Sequence, residues 1–396
     1  MNERKYFKQG RSLTVAGLFA GIGGIEVGFH KAGHSTELLC ELDPGARAVL
    51  AAHFPDVSLT EDIRKLRSLP RVDLVAAGFP CQDLSPVGRT MGISGDQSGL
   101  VGEVFRLIAR KKHGPTWLLL ENVPFMLQLD QGRAMRFLTE TLEEMGFSWA
   151  YRVVDTQAFG LPQRRQRVLL LASRTEDPRE VLLVDDAGER TFEFSRDLAS
   201  GFYWTEGNRG LGWAVDAVPT IKGGSSVGIA SPPAIWLPGD GGIAVPDIRD
   251  AERLQGFEPN WTLPAVEDGK VKKGMRWKLV GNAVTVDVAQ WVGESLHNPR
   301  RYDDSCDAPL VPGARWPRAA WGKSGKQCRA EVSAWPVQAE YQHLADFLRC
   351  EPLPLSERAT AGFYSRARAS KLKFPEGFLD AVGAHLDSVR SDKVLA

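Results

Sequence analysis

A chain of 396 residues that is 43% hydrophobic and 25% charged has the make-up of a globular protein, with room for a large domain and one or two smaller ones. Lys plus Arg (49) balance Asp plus Glu (49), so only local patches such as Arg164, Arg165, Arg167 and Arg174, or Lys270 to Lys278, would meet a polyanion. Five widely spaced cysteines and seven scattered histidines argue against a disulfide framework or a zinc site, and no apolar run would span a bilayer, so a cytoplasmic protein is expected.

The segment from Leu13 to Leu18 reads as a strand. It runs into Phe19-Ala20-Gly21-Ile22-Gly23-Gly24, after which Ile25 to His30 continue at helical spacing. Strand, glycine turn and helix make the nucleoside- or phosphate-binding unit of a doubly wound sheet, because glycines admit a ligand to the backbone and the helix N-terminus favours its negative group. The pattern is not G-x-G-x-x-G, so a dinucleotide is not indicated. A second strand, Thr36 to Cys40, ends at Glu41-Leu42-Asp43, where an acid about twenty residues past the glycines is placed for ribose hydroxyls. Asp62-Ile63 closes a third apolar run and suits an adenine edge.

The fourth run, Val72 to Ala77, must stop at Gly78-Phe79-Pro80-Cys81-Gln82, because Pro80 fixes its own φ and biases Phe79 towards extended geometry. Asp83 to Gly99 is glycine-rich and reads as a flap. Cys81 then has two readings, a small core hydrophobe or a nucleophile on a rigid stem. A helix from Val101 to Lys112 leads to a strand, Trp117 to Leu120, ending at Glu121-Asn122-Val123-Pro124. A helix from Arg133 to Met145 precedes Gln163-Arg164-Arg165-Gln166-Arg167 and a strand from Val168 to Ala172. This alternation predicts an α/β domain with a mostly parallel sheet, in which ligands sit at the carboxyl ends of strands. Gly21, Glu41, Asp62, Cys81 and Glu121 all fall there. A thiolate and a carboxyl group facing one pocket suit addition to an electron-poor ring.

From Thr175 to Asp247 the α/β rhythm gives way to short β elements and glycine turns that suit a small groove-reading domain. Ile248 to Gly256 reads as a helix, and another begins after Gly281-Asn282. Beyond Asn298, prolines and tryptophans indicate an anchored irregular segment. Helices are expected at Glu340 to Leu348 and Phe374 to Leu386, with Arg358, Arg366, Arg368, Lys371 and Lys373 between them.

In this order the segments resemble the C5-cytosine DNA methyltransferase family of bacterial restriction-modification or phage-defence type. Phe19 to Gly24 is similar to its cofactor loop, Gly78 to Gln82 to its nucleophile motif and Glu121-Asn122-Val123 to its acid motif. Gln163 to Arg167, Arg253-Leu254-Gln255-Gly256-Phe257 and Gly281-Asn282-Ala283-Val284 are similar to its later motifs. The resemblance implies a Rossmann-like S-adenosylmethionine-dependent fold with a smaller β-rich target recognition domain and a C-terminal helical extension. The divisions expected are 1–174 for the catalytic domain, 175–275 for recognition, 276–298 for a returning helix and 299–396 for the extension.

It further implies S-adenosylmethionine, leaving as S-adenosylhomocysteine, with no metal. The cofactor would lie across Phe19, Ala20, Gly21, Gly23, Gly24, Glu41, Leu42, Asp62 and Ile63, with Pro80, Asn282 and Ala283 nearby. A target cytosine would be flipped out of double-stranded DNA. Cys81, held by Pro80, would attack C6, Glu121 would hold N3 and the exocyclic amine, and Arg165 would fix the base. Gln82, Ser85, Arg164, Arg167 and Lys222 are the expected DNA contacts. A monomer near the nucleoid, accompanied by restriction or defence proteins, is expected. A branch of the same family methylates tRNA with the same motifs, and a catalytically silent DNA-binding module is the alternative outside the chemistry. The long region between Gln163 and Arg253 favours duplex DNA.

Overall fold

A computed structural model describes residues 10, 12–79, 99–109, 114–208, 210–223, 232–239, 241–267, 272 and 274–395, with side chains to 391. Pro80, Cys81, Gln82 and Ser85 lie outside the described residues. Contacts divide the chain into two units. The first is Met1–Val154, Arg167–Gly188 and Val284–Val337, and the second is Asp155–Gln166, Glu189–Ala283 and Gln338–Ala396.

The first unit is built on a ten-stranded sheet. Strands β1 (Thr14–Leu18), β2 (Ser35–Cys40), β3 (Ser58–Thr60), β4 (Leu74–Ala77) and β5 (Trp117–Asn122) run parallel in the order β3-β2-β1-β4-β5. Every residue of β4 is buried, as expected of a strand covered on both faces. Helices α1 (Gly24–Lys31), α2 (Pro44–His53), α3 (Leu100–Ala109) and α4 (Arg133–Glu144) alternate with these strands. The order turns back between β1 and β4, which makes their carboxyl ends the switch point where such sheets bind ligands. The α/β fold is as expected from the sequence.

Beyond β5 the sheet becomes antiparallel. Gln166–Ser173 pairs with β5, and the hairpin Ala319–Lys323/Lys326–Arg329 joins through β6 (Ser148–Asp155). The hairpin turn has φ of +53° at Ser324 and +79° at Gly325, a pairing that matches the twist of its strands. Trp149, Tyr151 and Trp321 are buried there, and buried Arg152 donates to Ser333 O (2.8 Å) and Leu182 O (3.2 Å).

The second unit holds a five-stranded sheet ordered Ala214–Val215, Ser200–Phe202, Ala234–Trp236, Ile243–Val245, Leu353–Pro354, with neighbouring strands antiparallel. Helices Glu357–Ala369 and Phe378–Leu395 complete its core, with the Phe202 ring 5.1 Å from Phe363 and 5.0 Å from Phe378.

Four expectations about the C-terminal half change. Residues 299–396 are not one extension, because the first part adds strands to the first unit and the rest folds with the second. The returning segment likewise divides, with Met275–Asn282 in the second unit and Val286–His297 in the first. The basic stretch expected between helices is itself the helix Glu357–Ala369. Its buried stripe is only Thr360, Phe363 and Ala367, too narrow and too interrupted by arginines to stand out in the sequence. The helix expected from Glu340 shrinks to Leu344–Phe347, since buried Asp216 accepts from Leu344 N (2.9 Å) and His343 Nδ1 (2.6 Å) and so sets its start.

Candidate active site

In the first unit the cofactor-loop residues stand at the end of β1. Phe19 (φ +56°), Gly21 (φ +58°) and Gly23 (φ +86°) coil the chain tightly enough for Gly23 N to donate to Ala20 O (2.9 Å) before α1 starts at Gly24. A Cβ at Gly21 would have nothing within 4 Å, so the loop leaves open space on that side. Glu41, at the end of β2, ties the loop down by accepting from Gly21 N (2.8 Å) and Asp43 N (2.7 Å). Each carboxylate oxygen keeps further acceptor capacity for a ligand hydroxyl. Leu42 beside it is 54% exposed, an apolar surface available to a flat ring. After β3, Ile63 is buried, while Asp62 accepts from the backbone N–H and guanidinium of Arg64, which holds its carboxyl below the usual range.

The acid motif ends β5. Glu121 is 8% exposed, its Oε1 lies 3.0 Å from Arg167 Nε, and a Cβ built on Gly78 would be 3.2 Å from its Oε2. The carboxylate therefore packs against the chain leaving β4, three residues before Cys81. Asn122 Nδ2 donates to Phe79 O (2.9 Å), strapping that exit from the other side. The sequence places Asn122 in the acid motif without a role of its own, because that role depends on which strand lies beside β5.

Arg165 and Arg167, two of the arginines in the segment Gln163 to Arg167, stand in different settings. Arg167, expected on DNA, reaches Glu121. Antiparallel pairing sets Glu121 opposite Leu169, so Arg167 two residues earlier lies on the same face at the diagonal position, within reach of a long side chain. Arg165, expected to fix the base, is fully buried in the second unit and donates to Ile221 O (3.2 Å), Gly281 O (3.2 Å) and Ala283 O (2.6 Å). The late motifs are joined around it, with Gln163 Nε2 donating to Leu254 O (2.8 Å) and Gln255 Nε2 to Val280 O (3.1 Å). Asn282 is exposed and Ala283 buried at the end of this network, both in the second unit.

Members of the expected basic patches are engaged separately among the described residues, and Lys270 and Lys273 lie outside them. Arg174 lies 4.1 Å from the Phe147 ring centroid, and Arg276 is buried on Glu252 (2.8 Å). Arg164 is exposed and donates to Gly212 O (3.1 Å). Lys222 pairs with Glu206 (2.5 Å) with its ammonium 3.6 Å from the Tyr203 ring centroid.

One titratable group escaped the sequence reading altogether. Glu26 of α1 is 1% exposed, with Oε1 so close to Gly17 that a Cβ there would be 2.0 Å away, and Oε2 has no hydrogen-bond partner among the described residues. Burial pushes this carboxyl up to about 7, its own backbone N–H opposes the shift, and the negative charge of Glu41 adds to it.

Residues 13–200 match the family model for C-5 cytosine-specific DNA methylases. A type II methyltransferase, M2.BsuMI of Bacillus subtilis (strain 168), is 50% identical over 379 residues, covering 93% of this chain and 97% of that one. The chain belongs to the C-5 cytosine-specific DNA methylase family. It is a DNA (cytosine-5-)-methyltransferase. M.MspI of Moraxella sp is 28% identical over 298 residues, with 70% of this chain and 69% of that protein aligned. The Dnmt2 methyltransferase of S. pombe shares the fold at 15% identity and a TM-score of 0.51, over 72% of this chain and 98% of that one. The long match to M2.BsuMI extends the similarity well past the family model, into the C-terminal half of this methyltransferase.

Proposed function

We propose that this methyltransferase modifies cytosine within a specific site of duplex DNA as the modifying partner of a restriction system, using S-adenosylmethionine. The observation that carries the reading is Glu121, ion-paired to Arg167 and packed against Gly78, which precedes Cys81 by three residues in the sequence. The residues at the loop fit the cofactor. Open space at Gly21, spare acceptor capacity on Glu41 and exposed Leu42 meet a nucleoside's hydroxyls and ring, with Phe19, Ala20, Gly23, Gly24 and Ile63 shaping the turn around them. When bound, the cofactor supplies an electrophilic methyl group on a sulfonium.

The chain's own groups do the rest. Cys81, as the thiolate, forms a bond to C6 of the flipped base, which makes C5 nucleophilic. Negative charge developing on the ring is met by a proton that the Glu121 carboxyl gives to N3 while it accepts from the exocyclic amine, the group held in one orientation by Arg167. Asn122, by fixing Phe79 O, steadies the backbone that carries Pro80 and Cys81. Loss of the C5 proton then lets the Cys81–C6 bond break. Arg165 positions the Gly281-Asn282-Ala283 turn through three carbonyls and so acts through the backbone. The protein is proposed to work as a monomer in the cytoplasm, at the nucleoid; none of the helices among the described residues is long and apolar enough to cross a membrane.

Labelled-methyl transfer to duplex DNA and to tRNA, with wild type and Cys81→Ser, tests the reading. Transfer to duplex DNA that vanishes in Cys81→Ser is expected. Transfer confined to tRNA would overturn the substrate, and DNA methylation surviving Cys81→Ser would overturn the nucleophile. Bisulfite sequencing of DNA from expressing cells then gives the site, and protection of that site from a cognate endonuclease tests the restriction role.

A further inference from the structure

Residues 357–373 carry Arg358, Arg366, Arg368, Lys371 and Lys373 against a single acid, Glu357, in a chain whose charges balance overall. Phe363 and Ala367 of the helix Glu357–Ala369 are buried in the same core as Phe202 and Phe378, which settles the side the helix turns to water. Arg358, Arg368, Lys371 and Lys373 are exposed, and none has a carboxylate partner among the described residues. The Arg368 guanidinium lies 5.5 Å from the Tyr364 ring centroid, and Glu357 is 3.4 Å from Arg390.

Arg366 is used differently. Its Nε donates to Glu206 O (3.0 Å) and its terminal nitrogen to Trp204 O (2.9 Å), which latches the helix to the loop after the strand Ser200–Phe202. Glu206 of that loop holds Lys222, and Tyr203 beside it donates through its hydroxyl to Thr220 O (2.7 Å). Thr220 in turn donates to Arg164 O (2.9 Å). Exposed Arg164 and Lys222 and the basic helix thus stand on segments hydrogen-bonded to one another within one unit. Bracing accounts for Phe363 and Arg366. Four exposed cations without counter-charges among the described residues are left over, and keeping like charges together on one short stretch is worthwhile where a polyanion docks.

We propose that Arg358, Arg368, Lys371 and Lys373 bind the phosphate backbone of the duplex, so that residues 338–396 form part of the recognition unit. This rests on the duplex-DNA reading above. A phosphate contact contributes affinity through released counterions, so it shows in the salt dependence of binding. The test compares wild type with R358Q/R368Q/K371Q/K373Q for binding to a duplex oligonucleotide between about 50 and 200 mM salt. The slope of log affinity against log salt should fall by about 3 to 4, and affinity at low salt by at least about tenfold, with kcat at saturating DNA unchanged. R358K/R368K should keep the wild-type slope, because a point charge suffices for phosphate. K371Q/K373Q, which leaves the helix intact, should lower the slope by about 2 should the fourfold variant fail to fold. A folded variant with wild-type slope and affinity overturns the proposal while leaving the duplex reading standing. A wild-type protein that binds tRNA and no duplex overturns both.

Discussion

The two units place their functional groups by different means. In the first, Gly21, Glu41, Asp62 and Glu121 reach one edge because parallel strands end there, and the bonds that trim them span neighbouring strands. In the second, the late motifs are gathered by buried side chains that reach across long sequence distances to backbone carbonyls, Arg165 to three of them and Gln163 and Gln255 to one each. Strand register positions groups as a by-product of building the sheet. A buried polar network positions them only while every member is satisfied, since each carbonyl left without a donor costs about 1–3 kcal/mol. Substitutions of the strand-end groups in the first unit should therefore affect chemistry with little effect on folding, and those of the buried carbonyl-binding network in the second should do the reverse.

The largest effect is expected at Glu121. Glu121→Gln should keep the fold and lower kcat about 10²–10⁴-fold, and Arg167→Ala should lower it about 10²-fold. In the double variant the two losses should fall short of additive, since Arg167 acts through Glu121. Additive losses in single-turnover assays would separate the two residues.

Arg165→Met should cost about 4 kcal/mol of stability, read from denaturant unfolding of the full chain, because it removes a buried cation and strands three carbonyls. A loss below about 1 kcal/mol would show that the network is not the second unit's keystone.

Glu26 gives a pH-dependent case. Its folded-state value of about 7 exceeds the ordinary 4.5, so between those limits the folded state holds a proton that the unfolded state has released. Stability from this group is therefore full below about 4.5 and lost as pH rises towards 7. Glu26→Gln removes the dependence and should gain on wild type by roughly 3 kcal/mol across that window. Parallel melting curves for the two proteins across that window would contradict it. The smallest effect is expected for Lys222→Ala, with stability within about 0.5 kcal/mol of wild type and a DNA salt slope lower by about 1.

How much was legible in advance follows the same division. The glycine turn, the strand-end acids and the alternation of strands and helices could be read because each depends on residues close in sequence, where backbone preference and side-chain period act directly. The helix Glu357–Ala369 was missed because its buried face is Thr360, Phe363 and Ala367, which only the facing Phe202 and Phe378 make into a core. The hairpin at 319–329 was missed for a related reason, since its tryptophans signal burial without saying that β6 is the surface they cover.

By itself the sequence determined the family's ordered motifs, the parallel half of the sheet and the edge at which its acids meet. Only the tertiary structure decided that Arg167 meets Glu121 while Arg165 gathers a turn, that Asn122 straps Phe79, and that residues 299–396 are shared between two units. Those outcomes are set by strand pairing and by where buried donors find carbonyls. Neither is encoded in local spacing, because a side chain's partner is chosen by the fold that desolvates it.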